Sequence, residues 1–349
     1  MRDSGALVPG NLRYVPVARY RQEEVGALRA VVRSPRVLPL IEIIKRQPRA
    51  DRTGEFGDAY ASRLAALGTP LIIDFPTYVR LTGATNDAVA SFLGPVQRDP
   101  ARRVDLFRAL APVPGLIPTV TYTPRMPYPA GILVELATGL RPMFDTLAFR
   151  LFPRQFPEAY EETLRVARAG DIVLLDLEGS HHANPALRPF IAQVLRLPCR
   201  RVIIRAAIDE NLRNLDLTDD VPIAEADNSL LSDYDALGFD AFGDFAGIKK
   251  DLLRDGGTIS PGFIFYSWPT NSYVGYRGRT RALTQFAEHI APTVLRSQYH
   301  RLLSEQHKEE CPGCVMIRNI ARGQESGAHQ GKWKRIAMSH YLYTMGERL

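Results

Sequence analysis

Residues 157–178, PEAYEETLRVARAGDIVLLDLE, place an amphipathic helix directly before a short apolar strand. Pro157 suits the first turn of a helix, and the acidic residues behind it favour the positive end of the helix dipole. Gly170 ends the helix. The run from Ile172 to Leu175 shows no polar alternation, which is typical of a parallel strand buried on both faces. This segment therefore predicts one helix followed by one buried parallel strand.

The same alternation recurs through the first 265 residues, at intervals of roughly 25–45 residues. Strands are predicted at 13–17, 38–44, 70–75, 116–122, 146–151, 171–177, 201–206 and 239–245. Helical patterns cover 23–32, 58–67, 157–169 and 184–197. Eight such units favour a closed (β/α)8 TIM-like barrel. The rival is an open doubly wound sheet, but neither a Gly-x-Gly-x-x-Gly motif after the first strand nor a P-loop is present.

The C-terminal part of the chain follows a different pattern. A ninth strand-like run at 262–268 is either the last barrel strand or a strand that pairs outside the barrel. Helical patterns return at 283–296 and 299–307. We therefore expect residues 1–282 to form the α/β barrel and residues 283–349 to form a helical extension that contains cysteine and histidine.

Composition limits the class of protein. The 349 residues include 44 Lys+Arg and 38 Asp+Glu, a formal charge of +6 that is compatible with a nucleotide or nucleic-acid partner without establishing one. The basic residues are scattered, as on an ordinary solvated surface. Three cysteines are too few for a disulfide framework, so we expect a cytoplasmic protein. No stretch approaches the roughly 18 apolar residues of a membrane span, so we expect no membrane partner.

Candidate functional residues follow from the barrel prediction, because a parallel barrel carries its site at the carboxyl ends of the strands. The acidic candidates for catalysis at predicted strand ends are Glu42, Asp74, Asp176, Glu178 and Asp244. The candidates for substrate binding are Arg150, Arg205 and Tyr122. Such a rim could hold a divalent metal or act in general acid–base catalysis, with the arginines holding an anion. The alternative is a ring of salt bridges in which these charges satisfy one another.

The C-terminal tail has the spacing of half a zinc site. In His307-x3-Cys311-x2-Cys314, a Cys-Pro-Gly-Cys turn directs two thiolates at one point. A closed structural zinc site needs four ligands, and His329 or His340 could supply the last; we favour His340. The alternative is a pair of reduced thiols on a turn between helices.

Several segments together resemble the beta protein family of bacteriophages and bacteria. They are 14–17, 39–43, 117–120, 243–248, and Cys311 to Cys314 followed by Trp333 and 339–341. Where the resemblance leads us to expect two adjacent histidines, this chain has Ser339-His340. The resemblance implies a role in phage–host conflict, such as anti-phage defence, with a protein partner in a phage-related system.

Two hypotheses about activity remain open at this point. The first is an enzyme, a metal-assisted hydrolase that acts on a nucleotide or nucleic acid through the acidic strand ends. The second is a sensor or interaction module of a multi-protein complex, whose barrel recognises a ligand or partner without turnover.

Overall fold

The computed structural model describes residues 7–31, 34–46, 56–67, 70–250, 253 and 260–349. Its strands are β1 (Tyr14–Arg19), β2 (Leu40–Glu42), β3 (Leu71–Asp74), β4 (Leu116–Thr121), β5 (Ala148–Leu151), β6 (Ile172–Asp176), β7 (Arg200–Ile204), β8 (Val221–Pro222), β9 (Ala241–Asp244), β10 (Gly262–Ser267) and β11 (Ser272–Arg277). Eight of them, β1 to β7 and β9, form a closed barrel of parallel strands, in which β9 pairs with β1 to complete the ring. The predicted (β/α)8 barrel is confirmed.

Alternate side chains of each barrel strand face opposite sides. In β6, Ile172 and Leu174 pack inside the barrel with residues from the other strands, whereas Val173 and Leu175 pack outward under the helices. Both sides are apolar because both are buried, which explains why the sequence shows a continuous apolar run.

Helices cover the outer face of the barrel and form the C-terminal region. They are α1 (Gln22–Val31), α2 (Phe56–Ala65), α3 (Asp87–Arg98), α4 (Pro100–Leu110), α5 (Ile132–Leu140), α6 (Phe156–Val166), α7 (Arg188–Val194), α8 (Leu230–Asp233), α9 (Ala291–Arg296), α10 (Gln298–Arg301), α11 (Glu305–Glu310), α12 (Pro312–Ala321) and α13 (Gln330–Arg348). The four helical patterns predicted between the strands correspond to α1, α2, α6 and α7. The helical C-terminal extension is also confirmed.

The ninth strand-like run lies outside the barrel. It forms β10, which pairs antiparallel with β11, and β11 in turn pairs with β8. This answers the question that the sequence left open, since the last barrel strand is β9.

The small sheet and the C-terminal helices share a second hydrophobic core. Phe263 and Phe265 of β10 pack there with Ile317 of α12 and Trp333 of α13. The opposite side of α13 packs against the barrel. Tyr341 and its neighbours belong to the outer barrel core, and the helix also contacts α1. Among the described residues, no helix combines the length and the apolar character that crossing a bilayer requires.

Candidate functional site

At the carboxyl-end mouth of the barrel, Arg150 lies among three carboxylates. Arg150 of β5 contacts Glu42 (Nη1–Oε1 2.9 Å), Asp74 and Asp176 (Nε–Oδ2 3.0 Å). All four side chains are fully buried. Glu42 and Asp74 end the adjacent strands β2 and β3, and Asp176 ends β6. Each of these side chains faces the inside of the barrel. The fold therefore brings together these four predicted residues.

Further partners surround this cluster, and one of them is a second arginine, since Arg19 Nε lies 3.6 Å from Glu42 Oε2. Tyr78 donates to Glu42 (Oη–Oε1 2.7 Å), and Thr119 donates to Asp74 (Oγ1–Oδ1 2.6 Å). Burial alone would lower the pKa of Arg150, but the three carboxylates raise it well above its ordinary value. Burial raises the pKa of Asp74, and the charge of Arg150 opposes that rise. The geometry is that of the salt-bridge alternative, in which the charges satisfy one another.

Four other predicted residues lie apart from this cluster, and the first two are Asp244 and Tyr122. Asp244 faces away from the barrel interior and accepts hydrogen bonds from Tyr14 (Oη–Oδ1 2.6 Å) and from Tyr341 of α13. Its burial raises the pKa of this carboxyl group above the ordinary value. Tyr122 follows β4, and its hydroxyl lies 2.8 Å from the backbone oxygen of Phe152.

Arg205 follows β7 and is not part of the buried Arg150 cluster. Its Nη1 lies 2.7 Å from Oδ2 of Asp227, in the segment between β8 and α8. This ion pair, together with a hydrogen bond from Ser229, lowers the pKa of Asp227 far below its ordinary range, although burial opposes the shift.

Two adjoining cavities open above the buried cluster. The wider one, of about 420 Å³, is lined by residues that follow β4, β6, β7 and β9. The narrower one, of about 70 Å³, also includes Arg19 at the end of β1 and residues that follow β3. Both cavities contain Arg125, Glu178, Glu210 and Lys250. The mouth therefore contains two cavities in the position where parallel barrels bind their ligands.

Glu178 is the predicted acidic residue that reaches these cavities. It lies two residues beyond β6 with a positive φ of 54°, so the chain has already left the strand direction there. Its carboxylate pairs with Arg125 (Oε1–Nη2 3.0 Å), and its side chain is 29% exposed. Glu178 can therefore meet a ligand, which the buried ring beneath it cannot do directly.

Sequence reasoning missed the most unusual side chain of the mouth, Lys250. Its ammonium group lies 3.7 Å from the centre of the Tyr78 ring. Burial lowers the pKa of Lys250 below its ordinary value, although Asp176 and Glu42 oppose the shift. The position of Lys250 shortly after the eighth barrel strand could have indicated that it lies at the mouth. A pair of adjacent lysines, Lys249 and Lys250, is equally typical of an exposed surface.

The cysteines and histidines of the tail converge on one buried point. The four potential ligand atoms of His307, Cys311, Cys314 and His340 all lie within 4.8 Å of one another. His340 Nδ1 is 3.3 Å from His307 Nε2, 3.4 Å from Cys311 Sγ and 3.6 Å from Cys314 Sγ. The predicted set of four is thus assembled from α11, α12 and α13, in an arrangement compatible with a metal ion. His329, the other candidate that the sequence offered, is the N-cap of α13 and is not a member of the cluster.

The outer ring nitrogens of both histidines have partners of their own. His340 Nε2 lies 2.8 Å from the backbone oxygen of Tyr266 in β10, and His307 Nδ1 lies 2.7 Å from a carboxylate oxygen of Glu347. Such partners fix the orientation of an imidazole and leave its other nitrogen directed at the centre of the cluster.

Local sequence explains how the two cysteines reach this point. Cys311 ends α11 and is the N-cap of α12, where Pro312 occupies the first turn. Gly313 then lets α12 approach α13 closely, because a Cβ there would lie 2.7 Å from the Cβ of His340. Ser339, which stands where a second histidine was expected, is fully buried and contributes no atom to the cluster.

Comparison with known proteins identifies one family. A search of curated proteins gives no match. The family model described as Beta protein matches residues 14–347, which includes the whole barrel and all four residues of the Cys/His cluster. The chain belongs to the Beta protein family.

Proposed function

We propose that the barrel mouth binds a phosphate-bearing small molecule of nucleotide size, and that a zinc ion in the C-terminal helices holds the helix that packs against the barrel. One observation carries the ligand proposal. The narrow cavity has an excess of basic side chains and the wide cavity does not, and both lie above the buried Arg150 cluster.

The narrow cavity has the size and charge for an anionic group. It is lined by four basic side chains, Arg19, Arg80, Arg125 and Lys250, against two acidic ones, Glu178 and Glu210. The formal excess is two positive charges. Arginine binds phosphate oxygens through paired N–H groups and keeps its charge at neutral pH. We assign the phosphate to this cavity.

The wide cavity suits the uncharged remainder of such a ligand. Its volume of about 420 Å³ lies within the range of small-molecule sites. Arg205, Asp209, Asn211 and Glu225 line it in addition to the shared residues, so its four acidic side chains outnumber its three basic ones. Carboxylate and amide groups accept hydrogen bonds from hydroxyl and amino groups, so a sugar or a base has partners there.

Hydrolysis would use the exposed acidic groups rather than the buried ones. A divalent metal held by Glu42, Asp74 and Asp176 would have to displace Arg150, whose loss would leave buried charges unpaired. We therefore assign acid–base chemistry to Glu178, assisted by Glu210 of the same cavity. Phosphate release that Glu178→Gln abolishes without weakening binding would support an enzyme, whereas binding without turnover would favour the sensor.

Calorimetric titration with nucleoside mono-, di- and triphosphates and with inorganic phosphate tests the site. Arg80→Met removes an exposed basic group from the narrow cavity and should weaken binding at least about tenfold. Arg108→Met is the matched control, since Arg108 lies on α4 with its side chain 59% exposed and pairs with Asp105. Equal affinities of the wild-type protein and R80M for every phosphate ligand would overturn the proposal.

The zinc proposal rests on donor chemistry and distances. Tetrahedral zinc, with Zn–N of about 2.0–2.1 Å and Zn–S of about 2.3 Å, separates two nitrogens by about 3.3 Å and a nitrogen from a sulfur by about 3.6 Å. The corresponding distances from His340 Nδ1 are 3.3 Å to His307 and 3.4 and 3.6 Å to the two sulfurs. Two thiolates and two imidazoles form a closed set that is typical of structural zinc.

A zinc ion there would act in folding rather than in catalysis. All four residues are at least 95% buried, and they join α11, α12 and α13. Chelator treatment should lower the melting temperature, and added zinc should restore it. A melting curve that stays the same after the metal has been removed would contradict the structural role.

We also propose a biological setting in phage–host conflict, with a protein partner from the same system, because the family resemblance implies it. Cells that carry the wild-type gene should then restrict phage plating more than cells that carry R80M, and R108M should behave as wild type. Equal plating on all three would count against this setting while leaving the ligand proposal to calorimetry.

A further inference from the structure

We propose that Lys250 forms an imine with an aldehyde or ketone group of the ligand at the barrel mouth. This inference rests on the proposed phosphate-ligand site and names a second group that its ligand would carry.

Lys250 is buried but faces both cavities. Its relative exposure is 7%, and it is among the residues that line the wide and the narrow cavity. Its ammonium group contacts the faces of aromatic rings, at 3.7 Å from the centre of Tyr78 and 5.6 Å from that of Phe245. Within the described part of the chain, no carboxylate forms an ion pair with it.

This setting differs from that of the other lysines whose contacts the structure describes. The chain has six lysines. Lys249 donates to the backbone oxygen of Leu212, whereas Lys308 and Lys332 each pair with a glutamate at 2.7 Å. An amine held in a partly apolar setting beside cationic groups loses its proton more readily, and the direction of the Lys250 pKa agrees with this.

Imine formation needs proton transfers that side chains of the mouth can carry out. The lone pair of the neutral Lys250 amine attacks the carbonyl carbon, so a C–N bond forms and the C=O π electrons move to oxygen. Nitrogen then gives up one proton, and oxygen takes up two, one from nitrogen and one from a protonated carboxyl group. The C–O bond breaks and its electron pair leaves with water, while the nitrogen lone pair forms the C=N bond of the protonated imine. Glu178 and Glu210 share both cavities with Lys250 and can carry these protons.

The neighbouring arginines define the class of ligand. They remain charged when Lys250 is neutral, so the narrow cavity can still hold a phosphate. The inferred ligand is therefore a phosphorylated aldehyde or ketone, with its phosphate in the narrow cavity and its carbonyl carbon beside Lys250.

Reductive trapping tests this inference on the intact chain. The protein is incubated with ribose 5-phosphate or with ribose, each with cyanoborohydride, and the modified lysines are mapped by peptide mass spectrometry. We expect a reduced adduct on Lys250 at least about tenfold above that on Lys249, and only with the phosphorylated sugar. Lys250→Arg should lose the adduct, and Lys249→Arg should keep it.

Two results would overturn the inference. One is an adduct spread evenly over the lysines, and the other is no adduct on Lys250 at sugar concentrations that saturate binding. Calorimetry with inorganic phosphate on the same samples separates the two proposals. Phosphate binding without trapping removes the imine alone, and loss of phosphate binding as well removes the site.

Discussion

At the scale of single residues, Arg150 is the side chain on which the barrel mouth depends most. It is the shared partner of three buried carboxylates, and removal of one partner from a buried ion pair typically costs about 3–5 kcal/mol. Arg150→Met should therefore lower the free energy of unfolding by more than about 3 kcal/mol, measured by urea denaturation.

Arg108→Met removes an exposed arginine and should change the free energy of unfolding by less than about 0.5 kcal/mol. If R150M does not fold, Asp176→Asn provides a milder test, because Arg150 keeps Glu42 and Asp74. Stability of R150M within about 1 kcal/mol of wild type would contradict the ion-paired mouth.

The sequence predicted which residues lie at the strand ends, but not which face of the barrel each side chain occupies. For Glu42, Asp74 and Asp176 the position at the strand end was sufficient, because all three face inward. Asp244 also ends its strand but faces outward, because a shift of one residue along a strand turns a side chain to the other face. The sequence gives no local sign of that shift, since both faces of these strands are apolar.

At the scale of elements, the close contact between α12 and α13 determines the Cys/His cluster. A Cβ on Gly313 would lie 2.7 Å from the Cβ of His340 and 2.7 Å from the backbone oxygen of Ile336. Gly313→Ala should push the helices apart, lower the free energy of unfolding by about 1–3 kcal/mol and weaken metal binding.

Gly346→Ala is the control within α13, because nothing lies within 4 Å of a Cβ there. Alanine favours a helix over glycine by up to about 1 kcal/mol, so G346A should be neutral or stabilising. A G313A variant as stable as G346A in urea denaturation, with unchanged metal content, would show that the close contact is unimportant.

A second contact joins α13 to the barrel. The Tyr341 hydroxyl donates to Asp244 at the end of β9 and lies 3.3 Å from Asn228 Oδ1. Tyr341→Phe should reduce the free energy of unfolding by about 1–3 kcal/mol, since Asp244 would lose one of its hydrogen-bond donors in a buried setting.

Tyr343→Phe on the same helix is the comparison, because its hydroxyl donates to Glu310 at the surface. Its effect on the free energy of unfolding should stay below about 0.5 kcal/mol. Thermal or urea unfolding that ranks Y343F as the less stable variant would show that α13 is not held through Asp244.

Prediction of elements succeeded where one pattern was decisive and failed where two signals competed. Helix α6 combined an amphipathic pattern with a clear start signal, although it ends at Val166 and not at the predicted stop before Gly170. Helix α5 was missed because its residues, ILVELATGL, are apolar on several sides. Helix α3 was missed although Asn86 caps it, since Pro95 interrupts its pattern.

At the scale of the whole molecule, helix α13 joins the two hydrophobic cores. Helix α13 packs against α1 and the outer barrel on one side and against the second core on the other. The sequence showed that this tail was helical and carried potential ligands. It could not show the return to the barrel, because contacts between residues more than 200 positions apart leave no local pattern.

The most direct test of this account is the zinc content of protein purified without a metal-affinity column. We predict about one zinc per chain in the wild-type protein, and a clear loss in Cys311→Ser or Cys314→Ser. Cys199→Ser should retain the metal, because Cys199 lies directly before β7 and away from the cluster. Folded wild-type protein with zinc well below one per chain, or full zinc in C311S and C314S, would contradict the account.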